Sequence, residues 1–264
     1  MFPAHGYRAV VFDFFGTLTE AVQRGPGHDR VAALLGCTTA AFADALNATF
    51  LDRSTGSFGD PIEALDAVVR LAGGHSTIAG LQAAYAARVD AVGRDTRLRS
   101  DAVPVLWSLR RLGLRTAVVS DCTPELAVIW PELPVAGLVD ARVLSIEERR
   151  HKPHPWMYMT AAARLGVPPA ACLYVGDGGS HELTGAEAAG MTPIRLAATD
   201  LHRHLVFQPD PWDGRQIPTL SDVLDLVRPS IPAQRRDSVP AVSVPAVSMP
   251  AVSMPAVPVP APAA

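Results

Sequence analysis

The sequence has almost no lysine. Of its 23 basic residues all but one are arginine, and the exception is Lys152. A compact ammonium and a broad planar guanidinium are not equivalent groups, so the one position that uses lysine is a candidate for a specific task. Cysteine is also scarce: Cys37, Cys122 and Cys172 are odd in number and show no CxxC spacing. That argues against a disulfide framework or a zinc site and fits idle thiols in a reducing compartment. Charge of either sign is not in large excess, with 23 Lys+Arg against 26 Asp+Glu and a net charge of -3. Such a balance offers no basic field for nucleic acid. No apolar run is long enough for a membrane span, and Asp13 interrupts the one candidate for a signal segment near the start. These absences predict a soluble, cytoplasmic protein with a small-molecule substrate and neither nucleic acid nor membrane as partner. They leave its oligomeric state open.

What is present alternates. Residues 8–13, Arg115–Ser120, Val139–Ser145, Cys172–Val175 and Thr192–Leu196 read as strands, and helical spacing fills much of the text between them. Strands that alternate with helices predict an α/β fold with a doubly wound parallel sheet and right-handed crossovers. From Glu20 to Arg97 the text changes to Ala- and Leu-rich helical spacing without a strand. Helices are predicted there over His28–Leu35, Thr38–Leu51, Pro61–Leu71 and Ser76–Val92, with Asp60 as a cap and Pro61 at a first helical position. From Ser238 to Ala264 the chain has no charged or aromatic residue, and Pro240, Pro245, Pro250 and Pro255 set a five-residue period. Proline at that density forbids helix and central strand, so a disordered, partly polyproline tail is predicted. The expected division is a core from 1–19 and 98–229, a helical insert over 20–97 and a tail over 230–264.

Chemistry-bearing residues stand at the ends of the predicted strands. Val10-Val11-Phe12 runs into Asp13, and Gly16 ends the strand. A carboxylate there faces the crevice in which open α/β sheets bind ligands. It can act as a nucleophile, or it can simply cap the next helix. Ser120 ends the strand RTAVVS, Lys152 stands in a Lys-Pro-His-Pro turn, Asp177 comes after CLYVG, and Glu182 is five residues later. Taken singly, each has an ordinary alternative as a cap or turn residue. His151, His154 and His181 fit no zinc spacing. His28 and Asp29 are candidate substrate contacts from the insert.

The run Asp13-Phe14-Phe15-Gly16-Thr17-Leu18, with Ser120, Lys152 and Asp177 in order after it, resembles the four motifs of the haloacid dehalogenase superfamily. The resemblance covers roughly residues 8–197. It implies a Rossmann-like core and a small all-helical cap inserted after the first strand. It implies Asp13 as nucleophile and Lys152 as the cation that neutralises it, with Thr17, Ser120 and Asp121 receiving the transferred group. It further implies Mg²⁺ held by Asp13, the Phe15 backbone carbonyl, Asp177 and Glu182; oxygen ligands suit that ion.

One position departs from the pattern. The family's phosphatases carry a second aspartate where this chain has Phe15, and general acid–base help of that kind contributes ~10²–10⁴-fold. Three readings are open: a phosphatase that finds its acid elsewhere, a carbon–halogen or carbon–phosphorus hydrolase, or a relative that binds without turnover. Two acids in the fourth motif, Asp177 and Glu182, favour Mg²⁺-dependent phosphoryl chemistry, with dehalogenation second.

Overall fold

The computed structural model describes residues 6–227. The predicted proline-rich tail lies outside the described residues. Six parallel strands form one sheet in the order β3-β2-β1-β4-β5-β6. They are β1 (Ala9–Phe12), β2 (Arg115–Ser120), β3 (Ala141–Leu144), β4 (Cys172–Gly176), β5 (Thr192–Leu196) and β6 (Gln216–Ile217). The predicted doubly wound sheet is therefore present. Its central strands are buried throughout because helices cover both faces, which is why they read as continuous apolar runs without alternation. The alternation exists in space. Val10 and Phe12 enter the core on one face, while Ala9 and Val11 enter the other. Burying a side chain as large as Phe12 contributes ~1.5–3 kcal/mol.

The strand order fixes the site. After β1 the chain winds outward through β2 and β3, then returns to the other side of β1 as β4. The connections that leave the carboxyl ends of β1 and β4 part there, opening the crevice where such sheets bind ligands. Phe12 is in register with Val118 of β2 and Val175 of β4, so the residues just past each strand arrive at the same level.

Between β1 and β2 lie α1 (Pro26–Leu34), α2 (Thr39–Ala48), α3 (Phe50–Ser54), α4 (Pro61–Leu71), α5 (Ile78–Asp95) and α6 (Ala102–Arg111). Of these, α1, α2, α4 and α5 surround a core of their own that includes Val31, Phe42, Leu46, Val68 and Leu81. The starts obey the predicted chemistry. The Thr38 hydroxyl accepts from the Ala41 N–H, and Asp60 and Glu63 form a reciprocal box around Pro61. The single helix expected over Thr38–Leu51 is instead two. The backbone leaves helical geometry at Thr49, whose hydroxyl donates to the Ala45 carbonyl and accepts from Arg53 Nε. The connections into and out of this segment run antiparallel at Thr19 and Leu98. Glu20 N–H bonds the Arg97 carbonyl and Arg99 N–H the Leu18 carbonyl, both at 2.9 Å.

Beyond β2 come α7 (Pro124–Ile129), α8 (Ser145–Glu148), α9 (Pro155–Leu165), α10 (Glu182–Ala188) and α11 (Val223–Val227). No single helix among the described residues is long and apolar enough to cross a membrane.

Candidate active site

Asp13 stands one residue beyond β1, its N–H bonded to the Val175 carbonyl of β4 at 2.9 Å. The chain then makes a tight turn over Phe14–Leu18. The turn requires Gly16, whose φ is +78°, a region that disfavours side chains. A Cβ there would also press on the His204 imidazole. Arg99 fastens the turn by donating to the Gly16 and Thr17 carbonyls at 2.8 and 3.0 Å and to Asp200 at 2.8 Å.

Lys152 reaches Asp13 from across the sheet. Its Nζ donates to Asp13 Oδ1 at 2.5 Å and to Glu182 Oε2 at 2.6 Å, with all three residues buried. Asp121 places it, accepting the Lys152 backbone N–H at 2.9 Å. Glu182 is fully buried at the start of α10 and well bonded: the Tyr174 hydroxyl donates to Oε2 at 2.8 Å and the Gly178 N–H to Oε1 at 2.9 Å. Gly176 leaves the room this needs, since a Cβ there would overlap the Glu182 carboxylate.

Carboxylate oxygens of Asp13, Asp177 and Glu182 lie within 4.8 Å of one another. Burial pushes the Asp13 carboxyl above its ordinary range, against the pull of Lys152 and helped by Asp177. Burial lifts Glu182 further, and Lys152 only partly opposes it. Lys152 itself is held well above the ordinary lysine range, because Asp13 and Glu182 outweigh the cost of its burial. Three acids thus crowd one another beside a single ammonium. The donors are hard oxygens, so the set fits a small divalent cation.

The structure thus brings Asp13, Lys152, Asp121, Asp177 and Glu182 together at one end of the sheet. Asp13, Phe15, Asp121, Lys152 and Asp177 line one cavity of about 130 Å³. Thr17 and Ser120 are buried beside it and are not among its lining residues. The Thr17 hydroxyl has no hydrogen-bond partner, and that of Ser120 makes one long contact of 3.5 Å to the Asp121 carbonyl. His28 does line the cavity, with Nε2 2.9 Å from Asp95, whereas Asp29 does not.

Several residues had no signal in the sequence. His204 accepts the Val22 N–H on Nδ1 at 2.8 Å, which leaves Nε2 facing Asp177 at 3.4 Å. Phe207 stacks on Phe50 with ring centroids 4.1 Å apart. Both sit in a stretch without periodicity before β6, itself too short to read. Arg24, Arg53 and Arg88 line the cavity from the helical segment, indistinguishable by sequence from the chain's other arginines.

Arg88 forms a buried ion pair with Glu125. Burial alone would raise Glu125, but Arg88, the Thr123 hydroxyl and Arg53 outweigh it and hold the carboxyl below its ordinary 4.5. The folded value is therefore below the unfolded one. The pair's contribution is complete above pH 4.5 and is lost as pH falls through the folded value. Urea denaturation between pH 7 and pH 3 should show the native chain losing more stability over the acid end than Glu125→Gln does. Parallel curves would remove the pair from the acid response.

A doubly wound sheet with an acidic crevice at its switch point and a helical insertion after β1 defines a Rossmann-like α/β core with a candidate active site at the strand ends. The chain belongs to the haloacid dehalogenase-like hydrolase family, whose pattern matches residues 7–190. It is 37% identical over 100 residues to a glyceraldehyde 3-phosphate phosphatase of Methanopyrus kandleri, covering 36% of this chain and 42% of that protein. It is 39% identical over 77 residues to a phosphoglycolate phosphatase of Xylella fastidiosa, covering 23% and 33%. The matches thus span less than half the length of these curated relatives. In fold the chain is similar to the L-2-haloacid dehalogenase of Xanthobacter autotrophicus, at TM-score 0.59 and 22% identity over 84% of this chain and 98% of that one. It is also similar to a phosphatase of Thermococcus onnurineus, at TM-score 0.54 and 20% identity over 83% and 96%.

Proposed function

We propose that the protein is a phosphohydrolase for small phosphorylated metabolites, acting through an aspartyl-phosphate on Asp13. The observation that carries this reading is the meeting of Asp13, Lys152, Asp177 and Glu182 at the switch point, two acids on one ammonium with a third acid beside them. An Asp13 oxygen attacks phosphorus, and the bond to the substrate's leaving oxygen breaks. Water then cleaves the acyl phosphate, releasing phosphate and restoring the carboxylate. Lys152 holds Asp13 in place and offsets charge as the two anions approach. Glu182 keeps that ammonium charged and aimed. Asp13, Asp177 and the Phe15 carbonyl would hold Mg²⁺, with Glu182 as the third acid of the same set. Bound there, the ion would supply Lewis-acid stabilisation of the phosphoryl oxygens. Residues 20–97 act in this reading as a cap that shields the reacting centre from water. Three free thiols accord with a cytoplasmic setting.

Phe15 shapes the kinetics. It lines the cavity and packs edge-on against Phe14, so it cannot protonate a leaving alkoxide. Turnover should therefore be best with esters whose leaving group is already acidic. Hydrolysis of p-nitrophenyl phosphate should require Mg²⁺ and stop with EDTA. Phe15→Asp should raise turnover of alkyl phosphates by about 10²-fold or more. The absent acid is also the observation that favours a second reading, haloacid dehalogenation, in which no alkoxide leaves. Release of halide from 2-haloacids in the presence of EDTA, with no phosphatase activity, would establish that reading instead.

A further inference from the structure

The acids and Lys152 account for one side of the cavity. Across from them the helical segment contributes Arg24, Arg53 and Arg88 to the same lining. Only Arg88 has an acidic partner, Glu125. Arg53 is 5% exposed, yet it donates from Nε to the Thr49 hydroxyl at 3.0 Å and from Nη2 to the Leu46 carbonyl at 2.8 Å. Arg24 donates from Nη1 to the Ala43 carbonyl at 3.1 Å and from Nη2 to the Asn47 amide oxygen at 2.7 Å. All four acceptors are neutral. No carboxylate among the described residues lies within ion-pair distance of either guanidinium. Of the acids near enough to act on them, Glu125 is engaged by Arg88 and Asp95 by His28, while Asp44 acts on Arg24 from beyond ion-pair distance. Burial, then repulsion from Arg88, lowers Arg24 against the opposing pull of Asp95 and Asp44. The same two causes, with Arg24 adding, draw Arg53 down to about 9 despite the pull of Glu125. Arg53 is buried and Arg24 half-buried; a cation buried without an anion destabilises the fold, and one lining an open cavity gains its partner when an anionic ligand enters.

We propose that Arg53 and Arg24 form a second anion subsite, and that the preferred substrate is a small phosphomonoester carrying a carboxylate. The planar guanidinium matches a carboxylate in a two-point contact. The cavity is then polarised. The phosphoryl group lies toward Lys152 and Asp13, and the carboxylate lies toward α3, with Phe15 and Val92 among the apolar walls between. The stack of Phe50 on Phe207 ties α3 to the loop before β6, which holds Arg53 over the site. The inference rests on the phosphohydrolase reading for the substrate's other end.

The test compares 3-phosphoglycerate with glycerol 3-phosphate, which differ by a carboxylate in place of a hydroxymethyl group. The native chain should favour the acid at least tenfold in kcat/KM. Arg53→Gln should collapse that ratio, mainly through KM. Because Arg53 also ties α3 to α2, Arg24→Gln serves as the second variant and should lower the same ratio. Equal use of the two esters by the native chain, or a ratio that neither substitution moves, would overturn the subsite. A binding experiment separates this failure from failure of the phosphohydrolase reading. Phosphonoacetate should raise the Tm of the native chain more than methylphosphonate does, and Arg53→Gln or Arg24→Gln should erase the difference. That result without turnover of any ester would keep the subsite and discard the hydrolysis, whereas equal shifts would discard the subsite.

Discussion

Asp13→Asn should lower kcat on p-nitrophenyl phosphate by at least about 10⁴-fold while leaving the protein folded, the scale at which removing a nucleophile acts on enzymes of this kind. The expectation of an intact fold is as specific as the loss of activity. In the native site three buried carboxylates crowd one ammonium, and burial has already pushed Asp13 and Glu182 toward their neutral forms. Replacing one acid by an amide of the same shape relieves that crowding. Lys152 keeps its 2.6 Å contact with Glu182 and is not left unpaired. The Tm of the variant should therefore equal or exceed that of the native chain. Retention of more than about one part in a hundred of the native kcat would remove Asp13 as nucleophile, because loss of a covalent nucleophile costs far more than that. A large fall in Tm would show instead that Asp13 holds the crevice together.

Lys152 should behave in the opposite way, with its loss felt first in stability. Lys152→Met leaves Asp13 and Glu182 facing each other without the cation between them, and Glu182 has no exposure to solvent. Breaking a buried pair from one side costs about 3–5 kcal/mol, measurable as a lower midpoint in urea. Adding Glu182→Gln to Lys152→Met should recover part of that loss, since two residues in one ionic network do not act independently. Independent, additive losses would mean that the two do not depend on each other. Lys152→Arg is the sharper comparison in a chain that uses arginine at every other basic position. The Nζ sits between oxygens at 2.5 and 2.6 Å, and the rings of Tyr158 and Tyr174 close the space beside it. A guanidinium is too wide to take that place, so Lys152→Arg should lose activity by about 10²-fold or more although its charge is kept.

The text of the chain determined the architecture and the floor of the site, because both rest on local chemistry. Continuous apolar runs such as Val10-Val11-Phe12 and CLYV can form only buried strands here, and an acid directly after such a run must surface at the strand's end. Caps such as Asp60 with Pro61 fix helix starts through bonds that span three residues. The lone lysine was legible as an exception of composition, and its tertiary partners turn out to be the acids picked from separate motifs.

Folding in three dimensions decided the rest. Glu182 reads as an ordinary acid at a helix start, yet the register of β4 and the Tyr174 hydroxyl turn it into the support of Lys152. The break at Thr49 came from a side chain bonding its own backbone and Arg53, a choice that helical propensity does not record. Arg24, Arg53, Arg88 and His204 carry no motif; only the packing of the helical segment and of the loop before β6 brings them to one cavity. Charge left without a partner is a property of neighbours in space, and a sequence lists neighbours only along the chain.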